Sequence, residues 1–260
     1  MEDLQNERDN RNIPLNKVGV NKVRYPVFLK DKKYGEQHTT GTVNMYVNLP
    51  EDFRGTHMSR FIEILHAHAN KMELRNVKSI LQDMKKALKA EEAHMEMSFP
   101  YAIEKSAPKT GILSHMIFDC AFNASLDRNN RFVFILEVRV PVQTVCPCSK
   151  AISGRGAHNQ RAYVRLKVRM KKMIWIEELV EMIEQSASAP VFPLLKRNDE
   201  KYITELGYDN PKFVEDVARD LSILLKAEAK VRWFHVAVTS RESIHDHNAY
   251  ACLEWRRKKD

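Results

Sequence analysis

The sequence predicts an α+β fold in which antiparallel sheets carry helices on one side, and three observations point there. Apolar residues alternate with polar ones over long runs. Helical periods occur in two separate groups. The order of two strands, helices, two strands is met once and then again, which predicts two tandem modules.

In the first half, 17–29 and 37–49 read as strands, Ser59 to Ala69 and Val77 to Ala90 as helices, and His94 to Ser106 and Leu113 to Leu126 as strands. The second half repeats this: strands over 131–144 and 157–171, helices over 176–186 and 211–227, and closing strands over 231–240 and 248–256. Phe132, Phe134, Leu136, Val138 and Val140 share one strand face, as do Ala162, Val164, Leu166, Val168 and Met170 on the next. The other face of that second strand is a basic row, Arg161, Tyr163, Arg165, Lys167, Arg169 and Lys171, read first as solvated or subunit-facing and second as a nucleic-acid contact. Such sheets leave edges that another module or subunit covers, so a homo-oligomer is expected.

Composition narrows the function classes. With 260 residues, 43% hydrophobic and 29% charged, the chain is too apolar for disorder. It shows no apolar run of about 20 residues and no signal-peptide core after Met1, so a cytoplasmic protein without a membrane partner is expected. A formal charge of +8 favours an anionic partner, whether nucleotide or nucleic acid. Four cysteines do not make a disulfide framework at this length, and the close pair Cys146 and Cys148 is better read as metal-binding or catalytic. Cys120, beside Phe118 and Phe122, and Cys252, among Ala249, Ala251 and Leu253, read as structural.

Four segments carry chemistry. Cys146-Pro147-Cys148-Ser149-Lys150 ends a strand and leads through a Gly- and Arg-containing loop to His158. A thiolate and an imidazole across a hairpin suit a transition ion, and a site with one position left open suits hydrolysis. The plainer reading makes the cysteines small strand-end fillers. Between the last two strands, Arg241-Glu242-Ser243-Ile244-His245-Asp246-His247-Asn248 places two histidines and two acids in a turn, either as ligands and proton movers or as exposed turn residues. On the helix from Pro211, Glu215 points away from the stripe of Phe213, Val214, Val217, Leu221, Leu224 and Leu225. It is either an exposed glutamate or a carboxylate that accepts from both N–H groups of a guanine edge. Gly55-Thr56-His57-Met58-Ser59-Arg60-Phe61 opens the first helix, where capping and phosphate binding compete as explanations.

Together, Gly55 to Phe61, Cys146 to Lys150 and Ser243 to Ala249 resemble the signature segments of the prokaryotic type IB GTP cyclohydrolase I family, and the likeness runs from about Asn16 onward. The resemblance implies the tunnelling fold, with two modules (16–129 and 130–260) after a flexible segment (1–15), assembled into barrels in a homotetramer. It also implies one divalent ion, Mn2+, Fe2+ or Zn2+, held by Cys146 and His158 with Glu200 and His245 as further candidates. Cys146, Cys148, Glu242 and His245 are then the catalytic candidates, Glu215 the guanine anchor, and Arg60, Lys150 and Arg155 the phosphate candidates. The implied reaction is attack of metal-activated water at C8 of GTP, loss of formate and reclosure to 7,8-dihydroneopterin triphosphate, the first step of folate biosynthesis. Two alternatives stay open: a nitrile-reductase-like enzyme of the same fold, of whose motif only Glu104-Lys105-Ser106 is present, and a non-catalytic RNA-binding module.

Overall fold

The computed structural model describes residues 7–68 and 76–258. The expected segment 1–15 and the expected helix end at Ala69 lie partly outside these residues. Fifteen elements follow in order: β1 (Leu15–Asp31), β2 (Gly35–Leu49), α1 (Met58–Ala67), α2 (Val77–Ala87), β3 (Ala93–Ser106), β4 (Leu113–Leu126), β5 (Phe132–Val145), α3 (Pro147–Ile152), β6 (Asn159–Met170), α4 (Ile176–Gln185), β7 (Ala189–Pro190), α5 (Arg197–Asp209), α6 (Val214–Ala227), β8 (Val231–Arg241) and β9 (Asn248–Arg256). Every strand and helix expected above is present, with ends displaced by at most about three residues. The short helix α3, the two-residue strand β7 and helix α5 were not expected. Among the described residues no helix is long and apolar enough to cross a membrane.

The chain divides into two compact units: Met1–Pro100 with Ala121–Ile135, and Tyr101–Cys120 with Leu136–Asp260. Strands β3, β4 and β5 each give residues to both. In the first unit β2 pairs antiparallel with β1 on one side and β3 on the other, with Val43 opposite Met97 and Met45 opposite Met95. These side chains are buried, as are Phe61 and Leu65 of α1 and Ile80, Leu81 and Met84 of α2. Each such burial contributes about 1.5–3 kcal/mol.

In the second unit β5, β6, β8 and β9 pair antiparallel in that order, and β7 adds to β5. Leu136 faces Val168, Val138 faces Leu166 and Val140 faces Val164, all fully buried, so the alternation read from sequence is one wall of the core. Helices α4 and α6 pack together, and α6 lies against β8 and β9. Val217, Leu221 and Leu225 of α6 are buried. The opposite sheet face carries the basic row.

One ion pair is buried in this unit. The Lys105 Nζ donates to Glu184 of α4 and to the Val191 carbonyl at 2.6 Å, and lies 4.2 Å from the centre of the Phe192 ring. Burial pushes the Lys105 ammonium pKa down against the pull of Glu184, and burial pushes the Glu184 carboxyl up. Removing one partner strands the other charge away from water, so Lys105→Ala is expected to cost about 3–5 kcal/mol, measured by urea unfolding. A Lys105→Met, Glu184→Leu double variant should recover most of that loss. A single variant as stable as the parent would show the pair to be idle.

Candidate active site

Strand β5 ends at Val145, and the chain turns there into α3 with Cys146 as the N-cap. Pro147 suits the first helical position because it needs no partner for an N–H and its φ is already helical. The Cys146 thiol accepts from the Ser149 N–H at 3.4 Å, the Ser149 hydroxyl donates to the Cys146 carbonyl at 3.1 Å, and the same hydroxyl accepts from the His158 N–H at 3.1 Å. The Cys146 N–H donates to the His158 carbonyl at 3.1 Å. The loop returns through Gly156 at φ 153°, a conformation that favours glycine. Twelve residues apart in sequence, Cys146 and His158 are therefore fastened to each other by backbone, with Ser149 as the bridge.

His158 Nδ1 lies 2.9 Å from Gln160 Oε1. An amide oxygen accepts, so Nδ1 is the donor in this contact, the arrangement in which a neutral ring keeps its lone pair on Nε2. The loop between β8 and β9 brings His245 against it, ring centres 6.4 Å apart and edge to face, and His247 stacks on His245 at 5.2 Å.

These groups line a cavity of about 270 Å3 in the second unit. Of the sequence candidates, Cys146, His158, Glu215, Glu242 and His245 all reach it. Glu215 stands exposed in the first turn of α6, where the helix dipole favours a carboxylate. The same wall adds residues the sequence reading passed over: Thr144, Gln160, Lys212, Phe213 and Tyr250. Thr144 and Gln160 had a signal, since each continues an apolar strand face with a polar side chain, directly opposite one another. The change of polarity marks where core ends and cavity begins.

Other candidates do not line this cavity. Cys148 is exposed on α3. Lys150 donates to the Tyr208 carbonyl and lies 4.2 Å over the Tyr208 ring. Arg155 is exposed in the loop. Arg60 belongs to the first unit, donates to the Ala87 carbonyl at 2.8 Å and lines a small cleft with Thr56 and His57. Glu200 is exposed on α5.

Helix α5 is held by a polar anchor. The buried Asp199 carboxylate accepts from the N–H groups of Lys109 (2.8 Å), Thr110 (2.9 Å) and Lys196 (3.0 Å) and from the Thr110 hydroxyl (2.7 Å). Burial alone would raise its pKa, but these hydrogen bonds hold the carboxyl well below the usual range. The stability it contributes is therefore present above the ordinary aspartate range and is lost as pH falls through the depressed folded value.

Three residues sit differently from their expected places. Phe213 was expected on the buried stripe of the helix, but it is the N-cap of α6, 41% exposed at the cavity wall. Its backbone is extended, so its ring leaves the helix face. Leu224, expected buried, is half-buried. Cys252 is exposed, opposite Ala237 on the other face from Ala251 and Leu253, whereas Cys120 is buried and burial drives its thiol pKa far up.

Among the described residues no three His, Cys, Asp or Glu side chains lie close enough together to hold an ion. The donor chemistry nonetheless fits a divalent transition ion. A thiol and an imidazole are fastened side by side, and the second nitrogen of that imidazole is oriented by an amide, the usual support of a metal-binding histidine.

A family model described as type I GTP cyclohydrolase folE2 matches residues 1–251. The chain belongs to that family. It is 54% identical over 254 residues to the GTP cyclohydrolase FolE2 of Kosmotoga olearia, covering 98% of both chains. It is 55% identical over 253 residues to that of Thermosipho africanus, covering 97% of both. Membership of the folE2 family decides against the reductase and RNA-binding alternatives. Among solved structures, a mutant urate oxidase from Bacillus sp. TB-90 matches with a TM-score of 0.58 at 8% identity, over 94% of this chain and 100% of that one. The uricase from Arthrobacter globiformis matches with 0.52 at 6% identity, over 94% of each. At such identities the likeness speaks for the fold alone.

Proposed function

We propose that this folE2-family chain is a GTP cyclohydrolase I of the type IB subtype, converting GTP to 7,8-dihydroneopterin triphosphate and formate for folate biosynthesis in the cytoplasm. The observation that carries this reading is the meeting of Cys146, His158, Glu215, Glu242 and His245 in one cavity of a chain matched by the family over residues 1–251. We further propose two tandem tunnelling-fold modules, 16–129 and 130–260, closed into barrels in a homotetramer. The fold-level likeness to T-fold-like urate oxidases and the repeated element order support this.

Cys146 and His158 would hold a divalent ion, with Glu200 and His245 as candidates for further ligands. When bound, such an ion supplies Lewis acidity that makes water a nucleophile at neutral pH. The rest falls to side chains. Glu215 accepts from the ring N1–H and the exocyclic amine of guanine, fixing C8 at the reacting end of the cavity. The exposed Phe213 ring, two residues before it, offers the purine an apolar face. Glu242 takes a proton from a first water as it adds to C8 and His245 gives one to N7; the C8–N9 bond then breaks, N9 receives the proton from Glu242, and the five-membered ring opens to a formamide on N7. A second water cleaves that amide and releases formate, and the diamine left behind recloses onto the rearranged ribose with loss of one water. Lys150 and Arg155 are carried as further phosphate candidates, Arg60 as an anion candidate within its own unit, and Cys148 as a residue that shapes the loop.

The test is turnover. Metal-stripped protein should release no formate from GTP, and added Mn2+ should restore both formate and pterin fluorescence in equal amounts. Chelation should abolish turnover again. Absence of formate with Mn2+, Fe2+ and Zn2+ alike would overturn the reading.

A further inference from the structure

The lysine that lines the cavity is already engaged. Lys212, which lines it, donates to the Ser186 carbonyl at 3.1 Å and to Asp220 at 2.7 Å. The cavity also carries the carboxylates Glu215 and Glu242, which repel a polyphosphate. A nucleotide whose base binds beside Glu215 must therefore send its phosphates elsewhere.

A second cavity of about 220 Å3 adjoins the first, for Gln160 lines both, and it is walled by Gln143, Asn159 and Arg161. Arg161 on β6 stands directly opposite Arg241 on β8, at the last pair of that ladder. Arg241 immediately precedes the cavity residue Glu242, and Arg161 immediately follows Gln160. The Arg241 guanidinium lies 5.2 Å from the centre of the Tyr163 ring, which Arg139 approaches to 4.8 Å from the neighbouring strand. Like charges directly opposed across strands destabilise a sheet. Neither Arg161 nor Arg241 has a carboxylate partner among the described residues, and both are exposed. Two planar guanidiniums, one lining the adjoining cavity and the other paired opposite it, without a carboxylate to neutralise them, have the chemistry of a polyphosphate clamp.

We propose that Arg161 and Arg241 hold the triphosphate of the nucleotide whose base binds in the first cavity. This rests on the GTP reading above and names the part of the substrate that this end of β6 and β8 receives. Binding energy gathered there fixes the base and ribose for reaction without touching C8, so its loss falls on KM more than on kcat.

The experiment compares wild type with Arg161→Gln and Arg241→Gln, and with Arg169→Gln as a charge control about 26 Å along the same strand face. Each of the first two should raise the KM for GTP about tenfold or more with kcat within about threefold, and Arg169→Gln should leave KM unchanged. Inorganic triphosphate, titrated calorimetrically into metal-free protein, should bind wild type and Arg169→Gln and lose affinity in the other two. Melting temperatures of the variants should equal or exceed that of wild type, since a like-charge contact is relieved. Unchanged KM and triphosphate affinity in Arg161→Gln and Arg241→Gln, or an equal loss in Arg169→Gln, would overturn the assignment. If wild type binds triphosphate through these arginines but releases no formate, the cyclohydrolase reading fails while the anion site stands.

Discussion

Cys146→Ala should abolish formate release, lowering kcat at least about a thousandfold, well beyond the 10–100-fold that removal of an outer-shell partner of a metal site produces. The reason lies in its position. Cys146 is half-buried at the end of β5, its N–H is spent on the His158 carbonyl, and its thiol faces the helix N-terminus and the cavity. Alanine keeps the backbone contacts and gives up only a capping acceptor, a loss of about 0.5–2 kcal/mol that a domain of this size tolerates. Loss of activity would then report on chemistry at sulfur. Bound metal, counted after reconstitution with Mn2+, should fall in parallel. Cys148→Ala, at an exposed position away from the cavity, should change turnover by less than about threefold, the size of ordinary surface substitutions. A folded Cys146→Ala protein that retains both metal and formate release would remove Cys146 from the site.

The elements legible in the sequence were those held by apolar periodicity. Strands β5 and β6 announce themselves because every second residue faces the same buried wall, and α6 because Val217, Leu221 and Leu225 recur along one stripe. Helix α5 was missed for the converse reason. Its buried positions are Asp199, Ile203 and Gly207, so only one is a large apolar residue, and what holds it is the hydrogen-bonded Asp199 carboxylate. Gly207 lets the helix approach β5, where a Cβ would meet the Gln143 side chain at 3.3 Å. Neither device leaves a periodic trace. Helix α3 is six residues long, too short for a pattern, and is set by Cys146 and Pro147 at its start.

The site was legible where chemistry and topology coincide. Cys146 and His158 flank a hairpin whose strands pair, so spacing alone brings them together. Glu215 lies inside the helix, so the helical angle does put it off the buried stripe, whereas Phe213 lies just outside it, at φ −74° and ψ 165°, where that angle no longer applies. The contributions of Lys212 and Tyr250 depend on how α6 and β9 meet the cavity, which no local pattern encodes.

Glu215→Gln should lower kcat/KM for GTP at least about a hundredfold, because a site built to hydrogen-bond a polar edge penalises a mismatch heavily. The substitution is nearly isosteric, and at an exposed first-turn position it removes only a helix-dipole contribution of about 0.3–1 kcal/mol. Folding should therefore be close to that of wild type. What changes is the pattern of donors. A carboxylate accepts from both the ring N1–H and the exocyclic amine, whereas the glutamine amide must turn one N–H toward a guanine N–H. Inosine triphosphate lacks the exocyclic amine and asks for only one acceptor, which glutamine still has. Wild type should thus prefer GTP strongly over inosine triphosphate, and Glu215→Gln should erase most of that preference by losing GTP more than inosine triphosphate. If both nucleotides fell equally, Glu215 would be acting on the reaction centre or the fold instead of the base. An unchanged preference with full activity would place the guanine edge against some other wall of the cavity.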